Sequence, residues 1–272
     1  MTPNQSLEIA FATDAGLVRE YNEDSIAADP ALGLVILADG MGGYRAGDIA
    51  SRMATATVLG EVRRIVRDDP PSVIGAYATP QARALRQAIV RANSVVFKTS
   101  QQETRYRGMG TTLVSCFFHD DRVTVAHIGD SRLYRLRGGR LQQITTDHSL
   151  LQEQVELGLI TADDAKASHN RNLVTRALGV DASVELDMRE ERTVPGDVYL
   201  LCSDGLNDLV DDESIELALS TLNENLPLTA EMLIQIANDN GGHDNVSVIV
   251  IKVKQAPKPK GFLQKLVSRW VH

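Results

Sequence analysis

Three apolar runs stop at an aspartate beside a glycine: Val35-Ile-Leu-Ala-Asp39-Gly40, Val123-Thr-Val-Ala-His-Ile-Gly129-Asp130 and Val198-Tyr-Leu-Leu-Cys-Ser-Asp204-Gly205. A fourth, Val246-Ser-Val-Ile-Val-Ile, begins just after Asp244-Asn245. Such runs read as buried strands. If the last strand runs opposite to the others, three strand C-termini and one N-terminus share an edge, and four carboxylates converge there. Taken singly, Asp-Gly pairs are ordinary turn formers. Taken together, carboxylates at the tips of buried strands repel each other, so a cation must neutralise them or the acids must protonate. All the candidate ligands are oxygens, and none of the six histidines has zinc-like spacing to another ligand. Hard oxygen donors favour Mg²⁺ or Mn²⁺ over Zn²⁺. A pair of such ions suits hydrolysis of a phosphate ester by an activated water.

Two other phosphatase chemistries leave fragments in the chain. Cys116 and Arg122 have the Cys-five-residues-Arg spacing of cysteine phosphatases. That chemistry needs a loop of small residues whose N–H groups surround a phosphate, whereas Asp120 and Asp121 lie here and Cys116 falls in a strand run. Gly129-Asp130 and His243-Asp244-Asn245 faintly resemble pieces of a histidine-rich two-metal phosphoesterase, but too few histidines accompany them.

Positioning the four aspartates requires a layered scaffold. The apolar pattern predicts strands at 7–13, 32–38, 111–118, 122–128, 132–136, 140–144, 184–190, 197–202 and 245–253. It predicts helices at 44–68, 81–100, 212–222 and 229–239, with a mixed, weakly helical stretch over 146–180. Turns at His119-Asp120-Asp121 and Arg137-Gly138-Gly139 link strands as hairpins, which favours antiparallel pairing. The fold class expected is therefore α+β, two sheets face to face with helices outside. Several residues have plain structural readings. His127 is a packed strand residue, Asp211-Asp212-Glu213 the acidic first turn of a helix, and Arg63, Arg64 and Arg67 a solvated helix face. Tyr44 and Arg45 either start a helix or face a substrate.

The 272 residues are 43% hydrophobic and 24% charged, which excludes disordered, collagen-like and disulfide-scaffold classes. No run is long enough for a membrane-spanning helix, and the start, Met1-Thr-Pro-Asn-Gln, lacks the basic and apolar parts of a signal peptide. Cys116 and Cys202 lie in apolar runs and read as buried, reduced thiols of a cytoplasmic protein; a single bridge between them is the alternative. The formal charge of −8 comprises +5 on residues 254–272 and −13 on the rest. An acidic body argues against nucleic acid as a ligand. The expected organisation is one domain over 1–253 and a basic tail over 254–272. On a helix, Phe262, Leu263, Leu266, Val267, Trp270 and Val271 share a face, which suits weak docking to an anionic membrane or a partner's groove. The alternative is that the tail packs on its own acidic domain or frays.

Assembled in order, these residues resemble the metal-dependent serine/threonine protein phosphatases, the PPM or type 2C family, in its bacterial form. The segments that carry the resemblance run over 7–253. They are Gly16-Leu-Val-Arg19-Glu-Tyr-Asn22-Glu23-Asp24, Leu37-Ala-Asp39-Gly40-Met-Gly42-Gly43, Gly108-Met-Gly-Thr111-Thr112 and Ala126-His-Ile-Gly129-Asp130-Ser131-Arg132. Then come Thr146-Asp147-His148-Ser149, Asn172-Leu-Val-Thr-Arg176-Ala-Leu-Gly179, Ser203-Asp204-Gly205-Leu and Asp244-Asn245-Val-Ser. The resemblance implies a pair of antiparallel sheets flanked by helix pairs, with a metal site at one end.

By position, the resemblance also assigns the site. Asp39, Asp204 and Asp244 hold one Mn²⁺ or Mg²⁺ ion. Asp39 and the Gly40 carbonyl hold a second, which Glu23 reaches through water. Asp130 with Asp204 binds a third, weaker one. Arg19 is the phosphate-binding arginine, Asn245 supports Asp244, Thr111 supports the adjacent sheet edge, and Asp24 stands behind the ligands. Residues 147–172 match a flap beside the site, whose low apolar density predicts mobility. Animal members carry a histidine, proposed as the general acid, where this chain has Met41, so the leaving-group proton has another source. Phosphorylated proteins are the implied substrates, and a Ser/Thr kinase the implied counterpart. A catalytically dead module, or an enzyme of small phosphorylated metabolites, would share the fold.

Overall fold

The computed structural model describes residues 7–43, 45–68, 79–161, 164–165, 168 and 173–254. The basic tail beyond 254, Tyr44 and part of the flap lie outside the described residues.

Two antiparallel sheets form the centre. In the first, β1 (Leu7–Asp14), β11 (Val246–Val253), β10 (Val198–Cys202), β7 (Arg132–Arg137) and β8 (Arg140–Gln143) lie side by side in that order. In the second the order is β2 (Asp24–Asp29), β3 (Leu34–Met41), β5 (Leu113–His119), β6 (Arg122–Ile128) and β9 (Asp187–Arg192), with β4 (Gly110–Thr111) also pairing β3. Helices α1 (Ala46–Asp68) and α2 (Pro80–Gln102) cover the second sheet. The short α3 (Leu150–Glu156) follows β8. After β10 come α4 (Asp204–Asn207), α5 (Asp212–Leu222) and α6 (Leu226–Asp239); the last two cover the first sheet. The α+β sandwich expected from the sequence is thus the fold.

Side-chain alternation along each strand builds three apolar layers. On β3, Leu34 and Ile36 face α1 and α2, whereas Val35 and Leu37 face the opposite sheet. On β10, Val198 and Leu200 face α5 and α6, and Tyr199 and Leu201 face inward. On β11, Val248 and Val250 face outward, and Ile249 and Ile251 inward. α1 meets its sheet through Ala46, Ala50 and Ala54, one residue per turn, whose small side chains allow close approach. The remaining caps are local. Ser149 accepts from Gln152 N at the start of α3. Asp211 accepts from Ser214 N at the start of α5, the acidic turn read from the sequence.

The alternation also fixes where polar residues emerge. Two residues beyond Leu37 comes Asp39, and two beyond Leu201 comes Ser203. Two and four residues before Ile249 come Ser247 and Asn245, and two before Ile26 comes Asp24. All of them extend the inter-sheet face to one end of the sandwich. β10 and β11 are antiparallel, so the C-terminal end of one meets the N-terminal end of the other, as the sequence required.

Candidate active site

Five aspartates gather at that end. Asp24 and Asp39 are direct cross-strand partners on β2 and β3, so their side chains lie on one face, where like charges destabilise. Burial first, then the charges of Asp24, Asp204 and Asp130, hold the Asp39 carboxyl well above the usual carboxylate range. Asp204 is likewise held well above it by burial and by Asp130, Asp208 and Asp244. Burial raises Asp24 to about 6, against hydrogen bonds from Ser247 and Ser203 that pull it down. Burial raises Asp130 to about 7, aided by Asp147.

Buried acids usually find donors. Here Asp24 Oδ1 and Asp204 Oδ1 are buried without a hydrogen-bond partner. Donor-free carboxylate oxygens in a like-charged cluster fit hard divalent cations, which would neutralise the repulsion and fill the oxygens' coordination.

The surrounding residues fix this cluster from both sheets. Ser203 Oγ donates to Asp24 Oδ2 (2.9 Å) and accepts from Ser247 N (3.0 Å), tying the second sheet to the first. Thr111 Oγ1 donates to the Asp39 carbonyl (2.8 Å). Thr112 adds to this hold: its Oγ1 accepts from Asp39 N (3.0 Å) and its own N–H donates to the Asp39 carbonyl (2.8 Å). Gly40 sits where a Cβ would fall 2.1 Å from the Gly47 carbonyl oxygen, so only glycine lets the start of α1 approach. Its N–H donates to the Glu23 carbonyl (3.1 Å). Ser51 Oγ donates to that same carbonyl (2.6 Å). The Glu23 carboxyl is raised by partial burial, opposed by the Asp48 N–H.

Asn245 touches Asp244 through its main chain and the neighbouring loop through its side chain. Its backbone N–H donates to Asp244 Oδ1 (2.8 Å). Its side chain instead holds the loop before β2, accepting from Glu23 N (2.8 Å) and donating to the carbonyls of Tyr21 (2.9 Å) and Ala15 (3.0 Å). That loop carries Arg19, whose Nη2 donates to Asp244 Oδ2 at 2.7 Å. A cleft of about 470 Å³ opens beside the cluster, lined by Arg19, Glu20, Tyr21, Glu23, Gly42 and Arg45.

Ser203, Ser247 and Thr112 escaped the sequence reading as site residues. Strand parity was the signal that could have found the two serines, since each continues an inward-facing series. His127, His148 and Asp187 also come together, with one ligand atom of each within 4.8 Å of the others. Their nitrogens already have partners: His127 Nε2 donates to the Thr146 carbonyl (2.8 Å), and His148 Nδ1 accepts from Gly129 N (3.2 Å). Arg176 Nη1 lies 3.4 Å from His148 Nε2 and 3.5 Å from Asp187 Oδ1, so a guanidinium occupies the place of a cation. The packed reading of His127 fits this arrangement. Cys116 and Cys202 are free and buried, and burial pushes both thiols up, away from nucleophilic chemistry.

The family model described as protein phosphatase 2C matches residues 18–240. The serine/threonine protein phosphatase PstP of Mycobacterium tuberculosis is 41% identical over 248 residues, 91% of this chain; the chain spans 45% of that relative's length. The serine/threonine phosphatase stp of Listeria monocytogenes is 36% identical over 246 residues, covering 89% of this chain and 94% of the relative. A crystal structure of the PstP catalytic domain in complex with 2 manganese ions superposes with a TM-score of 0.78 at 39% identity, covering 92% of this chain and 99% of that one. No helix among the described residues is long and apolar enough to cross a membrane. With its two sheets, its aspartate cluster and this match over most of its length, the chain belongs to the protein phosphatase 2C family.

Proposed function

We propose that the protein is a metal-dependent phosphatase that hydrolyses phosphoserine and phosphothreonine on proteins, reversing the action of a Ser/Thr kinase. The observation that carries this reading is the aspartate cluster itself. Burial and their acidic neighbours hold Asp39 and Asp204 well above the usual range, while Arg19 already pairs with Asp244. Asp39, Asp204 and Asp244, with the Gly40 carbonyl, would hold two central Mn²⁺ or Mg²⁺ ions; Asp130 with Asp204 would hold a third. When bound, such ions supply positive charge to the phosphoryl oxygens and lower the pKa of water.

The chain's own residues do the rest. Arg19 presents a planar guanidinium to two phosphoryl oxygens, the fork geometry suited to that group. Glu23 lines the same cleft and would reach the second ion through water. Asp24, fixed by Ser203, backs Asp39 and holds it in register. In the net reaction a P–O bond to water forms as the P–O bond to the seryl or threonyl oxygen breaks, and that oxygen leaves with a proton. Neither Cys116 nor Cys202 can serve as nucleophile, so a water-based attack fits the site. The test is hydrolysis of a phosphothreonine peptide with and without chelator. Activity should vanish with the metal and return with Mn²⁺ or Mg²⁺; activity persisting after complete metal removal overturns the reading.

A further inference from the structure

The cleft beside the aspartates holds one guanidinium whose charge is unspent. Arg19 is paired with Asp244. Glu20 Oε1 accepts from the Tyr21 hydroxyl at 2.8 Å. The Glu23 carboxyl receives the Asp48 N–H. Arg45 has no carboxylate partner among the described residues. Its guanidinium carbon instead lies 4.1 Å from the centre of the Tyr21 ring. That ring is 43% exposed and lines the same cleft. Tyr21 is itself anchored, since its carbonyl accepts from Asn245 Nδ2 at 2.9 Å.

The backbone makes this arrangement more telling. Arg45 has φ of 65°, the left-handed region that suits glycine and strains other residues. The turn into α1 would form more easily with glycine there. A long cationic side chain is held at this strained position, over an aromatic face, in the wall of the cleft. Such a contact orients the guanidinium while leaving its N–H edge free to donate.

We propose that Arg45, positioned by Tyr21, is a specificity-determining residue that reads an acidic side chain flanking the phosphorylated residue of the substrate protein. This rests on the phosphatase reading above and names the substrate class more closely. The chemistry is a carboxylate accepting from the free edge of the guanidinium, in a partly solvated cleft, where such a pair changes affinity by roughly fivefold. Substrates with basic flanks gain nothing and meet a like charge.

The test compares kcat/KM on phosphothreonine peptides that differ only in carrying Glu, Gln or Lys beside the phosphoresidue, all with Mn²⁺. The unaltered protein should prefer Glu over Lys by about fivefold. Arg45→Gln should equalise the peptides, Arg45→Glu should reverse the order, and Arg45→Lys should keep part of the preference. Tyr21→Ala should weaken the preference by freeing the guanidinium. Arg45→Gly relieves the left-handed backbone as it removes the cation, so it should fold normally and still lose the preference. An order of peptides unmoved by Arg45→Glu, or an equal loss on every peptide, overturns the proposal while leaving the phosphatase reading intact. Failure of the unaltered protein to hydrolyse any of the peptides with metal overturns both.

Discussion

Arg19 and Asp244 stand 225 positions apart in the chain, yet Arg19 Nη2 donates to Asp244 Oδ2 at 2.7 Å. The pair joins the loop before β2 to the start of β11. Its side chains are 55% and 27% exposed, so solvent screens it and it contributes under about 1 kcal/mol. A pair that weak exchanges readily. When Asp244 takes a cation, Arg19 can turn its fork to the phosphate. Arg19→Ala should therefore raise KM for a phosphopeptide about tenfold and change Tm little, and Arg19→Lys should restore only part of the loss. Steady-state kinetics decide it; an unchanged KM in the alanine variant would mean that Arg19 serves only the ion pair.

The central acids should show opposite effects on activity and on metal-free stability. Asp39→Asn or Asp204→Asn should lower kcat by at least ~10³, because each removes charge that holds the ions stabilising the transition state. Without metal the same variants should melt higher than the unaltered chain, because a neutral amide avoids the cost of burying a charge and the repulsion that together raise both carboxyls. Asp130→Asn should affect activity less at saturating metal. Paired melting curves and kinetics test this, and an Asp39→Asn protein that keeps full activity contradicts the assignment.

The raised carboxyls also set a pH dependence. Asp24 lies at about 6 and Asp130 at about 7, against ~3.9 for an unfolded aspartate. The fold binds these protons more tightly than the unfolded chain. The metal-free fold is therefore favoured below about pH 4, and that advantage is lost as pH rises through 6 and 7. Cations compete with the same protons. The rise in Tm produced by Mn²⁺ should thus grow between about pH 5.5 and 7.5, reaching about 5–10 °C at a hundredfold excess over Kd. An equal shift at both pH values would show that the ion binds elsewhere.

Asn245→Ala tests the scaffold rather than the chemistry. The side chain is buried and uses three hydrogen bonds, to Glu23 N and to the carbonyls of Ala15 and Tyr21. Losing it leaves buried backbone groups unpaired and should destabilise the fold by about 2–3 kcal/mol. Because the freed loop carries both Arg19 and Glu23, KM should rise as well. Denaturant unfolding combined with kinetics separates the two effects, and an unaffected KM would detach the loop from substrate binding.

Much of this architecture was legible in the sequence because the strands are apolar on both faces. β3, β5, β6, β10 and β11 were read close to their observed bounds for that reason. β2 was missed: Asp24-Ser-Ile-Ala-Ala-Asp29 is an edge strand poor in β-branched and aromatic residues, and only its pairing with β3 makes it a strand. With it went the direct opposition of Asp24 and Asp39 across the two strands. α1 starts at Ala46 rather than 44, since the Gly42-Gly43 turn and the left-handed Arg45 precede it. β9 starts at Asp187 rather than 184. The aspartates themselves were found because each interrupts an apolar run. Ser203, Ser247 and Thr112, which hold them, were not, because a hydroxyl in a strand carries no signal until its face is known.

The acids come from both sheets: Asp24 and Asp39 from one, Asp204 and Asp244 from strand ends of the other, and Asp130 from the crossing between β6 and β7 that joins them. Between the sheets lies an apolar layer that includes Val35, Leu37, Leu201 and Ile249, bridged by polar contacts such as Arg135–Glu191 (2.7 Å) and Ser203–Asp24 (2.9 Å). The spacing of the charges is therefore a gauge of how the two sheets are shimmed. Thinning that layer far from any carboxylate, as in Ile249→Ala, lets the sheets slide or close, and the misalignment is magnified at the rim. On the function proposed above, the alignment of the site depends on the thickness of this oily gasket, and damage there would present as a metal-site defect in a chain whose proposed ligands are all intact.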